Sequence, residues 1–224
     1  LELALHHYRL AADGASPAAS VVIALDIADL ERRRGHGDQA LAAASGALAV
    51  ARRRGDPLLE ARCHLRIAWL YAHRADYALA SDHATIGLPL ARKAGDPALA
   101  LELSRVAAAI ATSIGEPRRA LAILDALPAV PADQPRLAAG VAHELGRAAI
   151  QAGDYPRAIA ALERAIAAAE AAGDLEQRAR STNNLGAACY YQGDWARARR
   201  LWLQFRQQSE RQGDRTETLH ALNN

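Results

Sequence analysis

The pair Gly-Asp returns along this chain at an interval that leaves little room for anything but helices. It stands at Gly37-Asp38, Gly55-Asp56, Gly95-Asp96, Gly153-Asp154, Gly173-Asp174, Gly193-Asp194 and Gly213-Asp214. Close variants at Ala75-Asp76, Gly115-Glu116 and Ala132-Asp133 fill the gaps. Successive first positions are 17 to 21 residues apart, mostly 20, an internal period that marks repeat architectures. Glycine takes the left-handed conformation that ends a helix, and the following carboxylate caps the amides of the next one. Asp56-Pro57 and Asp96-Pro97 add proline at the first helical position, where its missing N–H costs nothing. Asp214 with Glu217 has the spacing of a capping box. Each pair therefore closes one helix and opens another.

Between these pairs the apolar residues fall at helical spacing, as in Ile23, Ile27 and Leu30, or Leu65, Ile67, Ala68 and Trp69. The spacing predicts helices over 17–34, 38–54, 57–74, 76–94, 97–114, 117–127, 134–152, 155–172, 175–192 and 195–212. Helices of this length are about 25 Å long and marginal in water by themselves, so each must be held by its neighbours. The composition agrees: 51% of residues are hydrophobic but only 4% aromatic, and the apolar content is largely alanine and leucine, which favour helix over sheet. The fold class is all-α. The segment "LPAVPADQP", Leu127 to Pro135, breaks the rhythm with three prolines and is the best place for a bend or flexible joint, or an ordinary irregularity of the repeat. Pro89 lies within a helix and is expected to kink it.

Taken in pairs, the helices give units of 38 to 40 residues with recurring small residues. In the first helix these are Ala28, Ala68, Ala108, Gly146 and Gly186; in the second, Ala42, Ala80, Ala120, Ala158 and Ala198. An aromatic follows the turn at Tyr77, Tyr155 and Trp195. Small residues at fixed points let two helices approach closely while larger neighbours fill the gap. This pattern resembles the tetratricopeptide repeat. "NNLGAACYYQGDWARA", from Asn183 to Ala198, and "HELGRAAIQAGDYPRAIAALERAI", from His143 to Ile166, carry that family's leucine-glycine, turn pair, aromatic and alanine in order. The units at 57–94 and 97–127 follow it less closely. The unit at 17–54 lacks the turn aromatic and reads as having extra residues around "RRRGHGD".

The resemblance implies a right-handed superhelix of antiparallel helix pairs, one solenoid over 1–224. Its repeats would be 17–54, 57–94, 97–127, 134–172 and 175–212, with 1–12 ending an earlier repeat and 215–224 opening a truncated one. The forty-residue form, with phrases such as "ALAVARRRGD" (Ala47 to Asp56), also looks like the helical arrays of large bacterial regulators of the LuxR and STAND-ATPase kind. In such arrays the first helix of each pair lines the concave face. The family's groove positions fall here on Arg62, Trp69, His73, Glu102, Arg105, His143, Arg147, Gln151, Arg180, Asn183, Ala187, Tyr190 and Tyr191, and again at His220 and Asn223. An asparagine amide there can bond a peptide backbone as donor and acceptor, and arginines can take carboxylates in bidentate fashion. Each of these residues can equally be read as the polar face of a solvated helix.

Other chemistries find no support in the residues. "GHGDQA", Gly35 to Ala40, follows a helix where a dinucleotide fingerprint needs a strand, and in "HELGR" Arg147 stands where a zinc protease needs histidine. Lys93 is the only lysine and sits in "ARKAGD", outside any phosphate loop. Cys63-His64 and His6-His7 have no partners at metal-ligand spacing, so no catalytic set, metal or cofactor is implied. The formal charge is +2, too small to draw nucleic acid or an anionic membrane, and the arginine runs at 32–34 and 52–54 complement helix C-termini. No apolar run reaches bilayer length, and two distant cysteines fit a reducing interior. With no methionine at Leu1 or elsewhere, the expectation is a cytoplasmic segment of a longer protein. Its expected role is protein interaction or signal sensing within a bacterial signalling or transcription regulator, with a protein or peptide partner in the groove. The alternative is a stand-alone receptor for a peptide or small molecule. Trp195, Leu201, Trp202 and Phe205 on the last full helix are expected to need cover from a following repeat, which predicts end-to-end association of copies through 195–224.

Overall fold

The computed structural model describes residues 15–212 as helices joined by tight turns, with no strand among the described residues. The helices are α1 (Pro17–Arg33), α2 (Gly37–Arg54), α3 (Pro57–His73), α4 (Tyr77–Lys93), α5 (Pro97–Ser113), α6 (Pro117–Asp125), α7 (Pro135–Ala152), α8 (Tyr155–Ala171), α9 (Leu175–Gln192) and α10 (Trp195–Gln212). Each lies within two residues of the span read from the sequence. The chain forms two compact units, one ending at Ile110 and the other beginning at Ala111. No described helix is long and apolar enough to cross a membrane. The segments 1–12 and 215–224, with His6, His7, His220 and Asn223, lie outside the described residues.

The turns work as the Gly-Asp chemistry requires. Asp56 Oδ1 accepts from the amides of Leu58 and Leu59 at 3.1 Å, and Asp96, Asp154, Asp174 and Asp194 each accept from the amide three residues on at 2.9–3.2 Å. The glycines before them are left-handed, with φ between +63° and +94°. Ala75 holds the same conformation, φ +59°, without being glycine. The first turn departs from expectation. Gly35, not Gly37, is left-handed (φ +81°), His36 takes the cap position and Gly37 already begins α2. Asp38 makes no cap; its carboxylate accepts from Arg74 at 2.6 Å. The buried small residue of α2 is correspondingly Ala40, while Ala42 is exposed. The reason is phase: a turn at Gly35 stands 20 residues before Gly55, so the first pair has no extra residues and keeps the register of the others.

In the first unit α1 packs on α2, α2 on α3, α3 on α4, and α1 also touches α3. Val21, Leu25, Ala28, Ala40, Ala44, Leu48, Leu59, Cys63 and Ile67 form one continuous core. A second cluster joins Ala68, Ala80 and Ala84 to Val106 and Ile110 of α5. α4 runs through Pro89 to Lys93 as one helix. Cys63 and Cys189 are free and fully buried, and burial pushes the Cys63 thiol up to about 12, as small unreactive core residues require.

In the second unit α6 packs on α7, α7 on α8, α8 on α9, α9 on α10, and α7 on α9. α6 has only nine residues, and the proline-rich stretch between it and α7 is irregular. The leucine-glycine positions explain how closely the pairs approach. A Cβ on Gly146 would lie 2.4 Å from Leu162 Cγ, and one on Gly186 would lie 2.6 Å from Trp202 Nε1. The end helix is better covered than its sequence suggested. Phe205 is fully buried with Ala179, while Leu201 and Trp202 pack against the Leu162–Leu185–Cys189 core. Trp195 and Leu203 stay exposed. The apolar stripe of α10 is thus mostly spent within its own unit, against α9.

Candidate functional site

The first helices of the pairs carry most of the polar and aromatic side chains that bridge one repeat to the next. In the first unit these are α1, α3 and α5. Asp29 of α1 is a hub: it accepts from Arg32 at 3.2 and 3.3 Å, from Arg33 Nε at 3.1 Å, and across to α3 from Arg66 Nη1 at 3.0 Å. Burial pushes the Asp29 carboxyl up, but Arg66, Arg32 and Arg33 together outweigh it and hold the group below the usual carboxylate range. Three guanidiniums share this one half-buried carboxylate.

From α3 to α5 the contacts continue. The Arg105 guanidinium lies 4.8 Å above the Trp69 ring, a cation–π geometry, and its Nε donates to Glu102 at 3.0 Å. Arg62 approaches Asp96 at 3.9 Å. His73 stands edge-on to Trp69 at 5.8 Å and places Nδ1 2.8 Å from the Trp69 carbonyl oxygen. The five positions inferred for this unit, Arg62, Trp69, His73, Glu102 and Arg105, therefore come together on α3 and α5, and all keep some exposure. Sequence reasoning missed Asp29, Arg32, Arg33 and Arg66. The signal was present: Asp29 precedes Trp69 by 40 residues, one repeat, once the first repeat is placed in phase.

The second unit builds its face from α7 and α9, and here one inferred position is corrected. His143 is buried, with Nδ1 3.0 Å from Ser181 Oγ of α9, and Ser181 also accepts from Gln177 Nε2 at 3.2 Å. His143 is a packing link between consecutive first helices, because the interhelix gap needs a polar partner for the buried Ser181 hydroxyl. Arg147 stays partly exposed and pairs at 2.9 Å with Glu144, whose carboxylate is buried. Gln151 is exposed at the end of α7, and Arg180 is exposed and paired with Glu176. Asn183 is half-buried, and its backbone carbonyl accepts from Trp202 Nε1 at 3.2 Å. Tyr190 and Tyr191 stand 50% and 59% exposed at the end of α9.

Comparison with known proteins places this arrangement. Residues 137–204, from α7 into α10, match the tetratricopeptide repeat family model, so the two units read most clearly from the sequence are repeats of that kind. No curated protein sequence matches the chain. Among solved structures, the apo form of the quorum sensor NprR from B. thuringiensis superposes with a TM-score of 0.73 at 17% identity, over 99% of this chain and 63% of that one. NprR in complex with its cognate peptide NprX gives 0.72 at 16%, over 94% and 62%. A Rap protein complexed with competence and sporulation factor gives 0.78 at 14%, over 92% and 58%. The chain thus spans about three-fifths of the length of these proteins, and the likeness establishes the helical-repeat fold.

Proposed function

We propose that the chain is a peptide- or protein-binding module of a signalling protein, using the exposed faces of its first helices. The observation that carries this reading is the run Asp29, Arg66, Trp69, Arg105 across α1, α3 and α5. It offers charge, a flat ring and bidentate donors on a preformed surface. A preformed surface gains affinity because little ordering is lost when a segment docks. The resemblance to structures of NprR with its peptide and of Rap with competence and sporulation factor supports the same reading. So does the chemistry of α7 and α9, where Arg147, Asn183 and the tyrosines mix amide, guanidinium and aromatic groups. No named residue set supports catalysis.

The test is selection of binding peptides from a random display library against the chain, followed by affinity measurement on variants. Trp69→Ala and Asn183→Ala should each weaken the selected peptides by about tenfold or more, about 1.4 kcal/mol, with the melting temperature held within a few degrees. Peptides that bind both variants as tightly as the parent would place recognition elsewhere and overturn the proposal.

A further inference from the structure

At one end of the second unit the repeat places aromatic rings side by side where the core does not need them. Leu162, Leu185, Cys189 and Ala198 already close the interior. Outside it, Tyr155 at the start of α8 stacks on Tyr191 at the end of α9, with centroids 5.7 Å apart and planes 17° from parallel. Tyr190 meets Tyr191 edge-on at 5.6 Å and reaches Trp202 at 5.9 Å. Trp195, 69% exposed, holds in α10 the position of Tyr155 in α8. Gln151 and Gln192, both exposed, end α7 and α9 at the same end of the unit.

The polar atoms of this strip have a common character. The hydroxyls of Tyr155, Tyr190 and Tyr191, the Trp195 indole N–H and the two glutamine amides make no hydrogen bond to any described residue. The arginines beside the rings are already neutralised, Arg157 by Asp125 and Arg197 by Glu163. Asp154 and Asp194 are occupied in capping helices. The strip therefore offers flat rings and uncharged donors, with neither a spare cation for an acidic ligand nor a spare carboxylate for a basic one.

That complement fits one kind of segment. A polyproline II helix presents pyrrolidine rings to aromatic faces and has no internal hydrogen bonds, so every carbonyl oxygen is left to accept. Proline also lacks the N–H that would need an acceptor here. We propose that the Tyr155–Tyr191–Tyr190–Trp195 strip binds a proline-rich segment in the polyproline II conformation. This rests on the peptide-binding reading above and names the class of partner for the second unit. The three helices span on the order of 20 Å, and ten residues of this helix reach about 31 Å.

The experiment titrates acetyl-decaproline amide into the chain, following the tryptophan indole resonances and the affinity by calorimetry, with a Gly-Ser decapeptide as control. Decaproline should bind saturably and the control should not. Tyr191→Ala should weaken binding by tenfold or more and Tyr191→Phe by a few-fold, since the second keeps the ring and loses the donor; both rings are surface groups, so melting should be unchanged. Arg66→Ala, in the other unit, should leave decaproline binding unaltered. Decaproline binding no better than the control, or binding untouched by Tyr191→Ala, overturns the inference. If library-selected peptides still bind in that case, the inference alone falls; if they fail as well, the peptide-binding reading falls with it.

Discussion

The buried histidine pair of the first unit makes its stability depend on pH in a calculable way. His64 of α3 and His83 of α4 place their Nδ1 atoms 3.0 Å apart, so one ring donates the shared proton and the other accepts. His64 is fully buried and its Nε2 has no partner; a second proton on the pair would set two N–H groups face to face. Burial, the neighbouring His83 and the Arg52 guanidinium from α2 push the His64 imidazole down from 6.5 to about 4. Burial and Arg52 lower His83 too, against an opposing pull from Asp82. Tyr71 also faces His83, at 5.8 Å between ring centroids.

The sign follows from proton counting. Between about 4 and 6.5 the unfolded chain binds a proton at His64 that the folded chain refuses, so stability falls as pH drops through that window. By pH 4.5 the His64 share is about 2 to 3 kcal/mol, a large fraction of the stability of an ordinary domain. The assay is urea unfolding at pH 7 and pH 4.5 for the parent and for His64→Asn. That variant can still present a donor to His83 Nδ1 but cannot titrate. It should be less stable at pH 7, by roughly 1 to 3 kcal/mol for the lost ring. Its further loss on acidification should be smaller than the parent's by about 2 kcal/mol. Equal acid losses in the two proteins, or a His64 resonance titrating near 6.5, would refute the reasoning.

Two backbone predictions come from the glycines and from the one alanine in a glycine's place. Gly146→Ala drives a methyl into Leu162 and should cost about 1 to 3 kcal/mol. Gly46→Ala, on an exposed stretch of α2 with nothing within 4 Å of the new Cβ, should add about 0.5 to 1 kcal/mol; chemical denaturation of both variants checks the pair. Ala75→Gly relieves the left-handed φ of +59° and should raise stability by several tenths of a kcal/mol to about 1 kcal/mol, read as a higher unfolding midpoint.

What the sequence disclosed and what it hid divide along a physical line. Helix ends were legible because a left-handed glycine and a capping aspartate are local chemistry, readable over four residues. The first turn was misplaced because Gly35 and Gly37 are both glycines beside a plausible cap, and only packing decides which keeps Ala40 against its neighbours. That slip also hid Asp29 and its arginines, since the groove positions of α1 could not be counted from a displaced register. His143 was misassigned for a different reason: exposure on a first helix depends on what the next first helix brings opposite, and Ser181 is small enough to draw the ring inward.

Those opposing residues nevertheless follow a rule that the repeat itself supplies. Trp69 meets Arg105, Tyr155 meets Tyr191, and Asp38 meets Arg74, each pair 36 residues apart; Asp29 with Arg66 and His143 with Ser181 are 37 and 38 apart. One period carries the chain to the equivalent helix, and stepping back by up to about one helical turn reaches the side chain that leans toward the earlier repeat, because Cβ atoms tilt toward a helix N-terminus. The contact between repeats is therefore set by which residue type stands roughly one period less one turn away. A tyrosine there extends the aromatic strip, a serine buries a histidine, and an arginine covers a tryptophan. In this chain, then, the surface chemistry of each face is chosen by pairs of positions, not by single groove residues, and a substitution at one member changes the exposure of the other. Tyr191→Ala, for instance, should uncover Tyr155 as well, so the loss of decaproline binding it causes should exceed the loss from Trp195→Ala, whose ring makes no contact with another described ring.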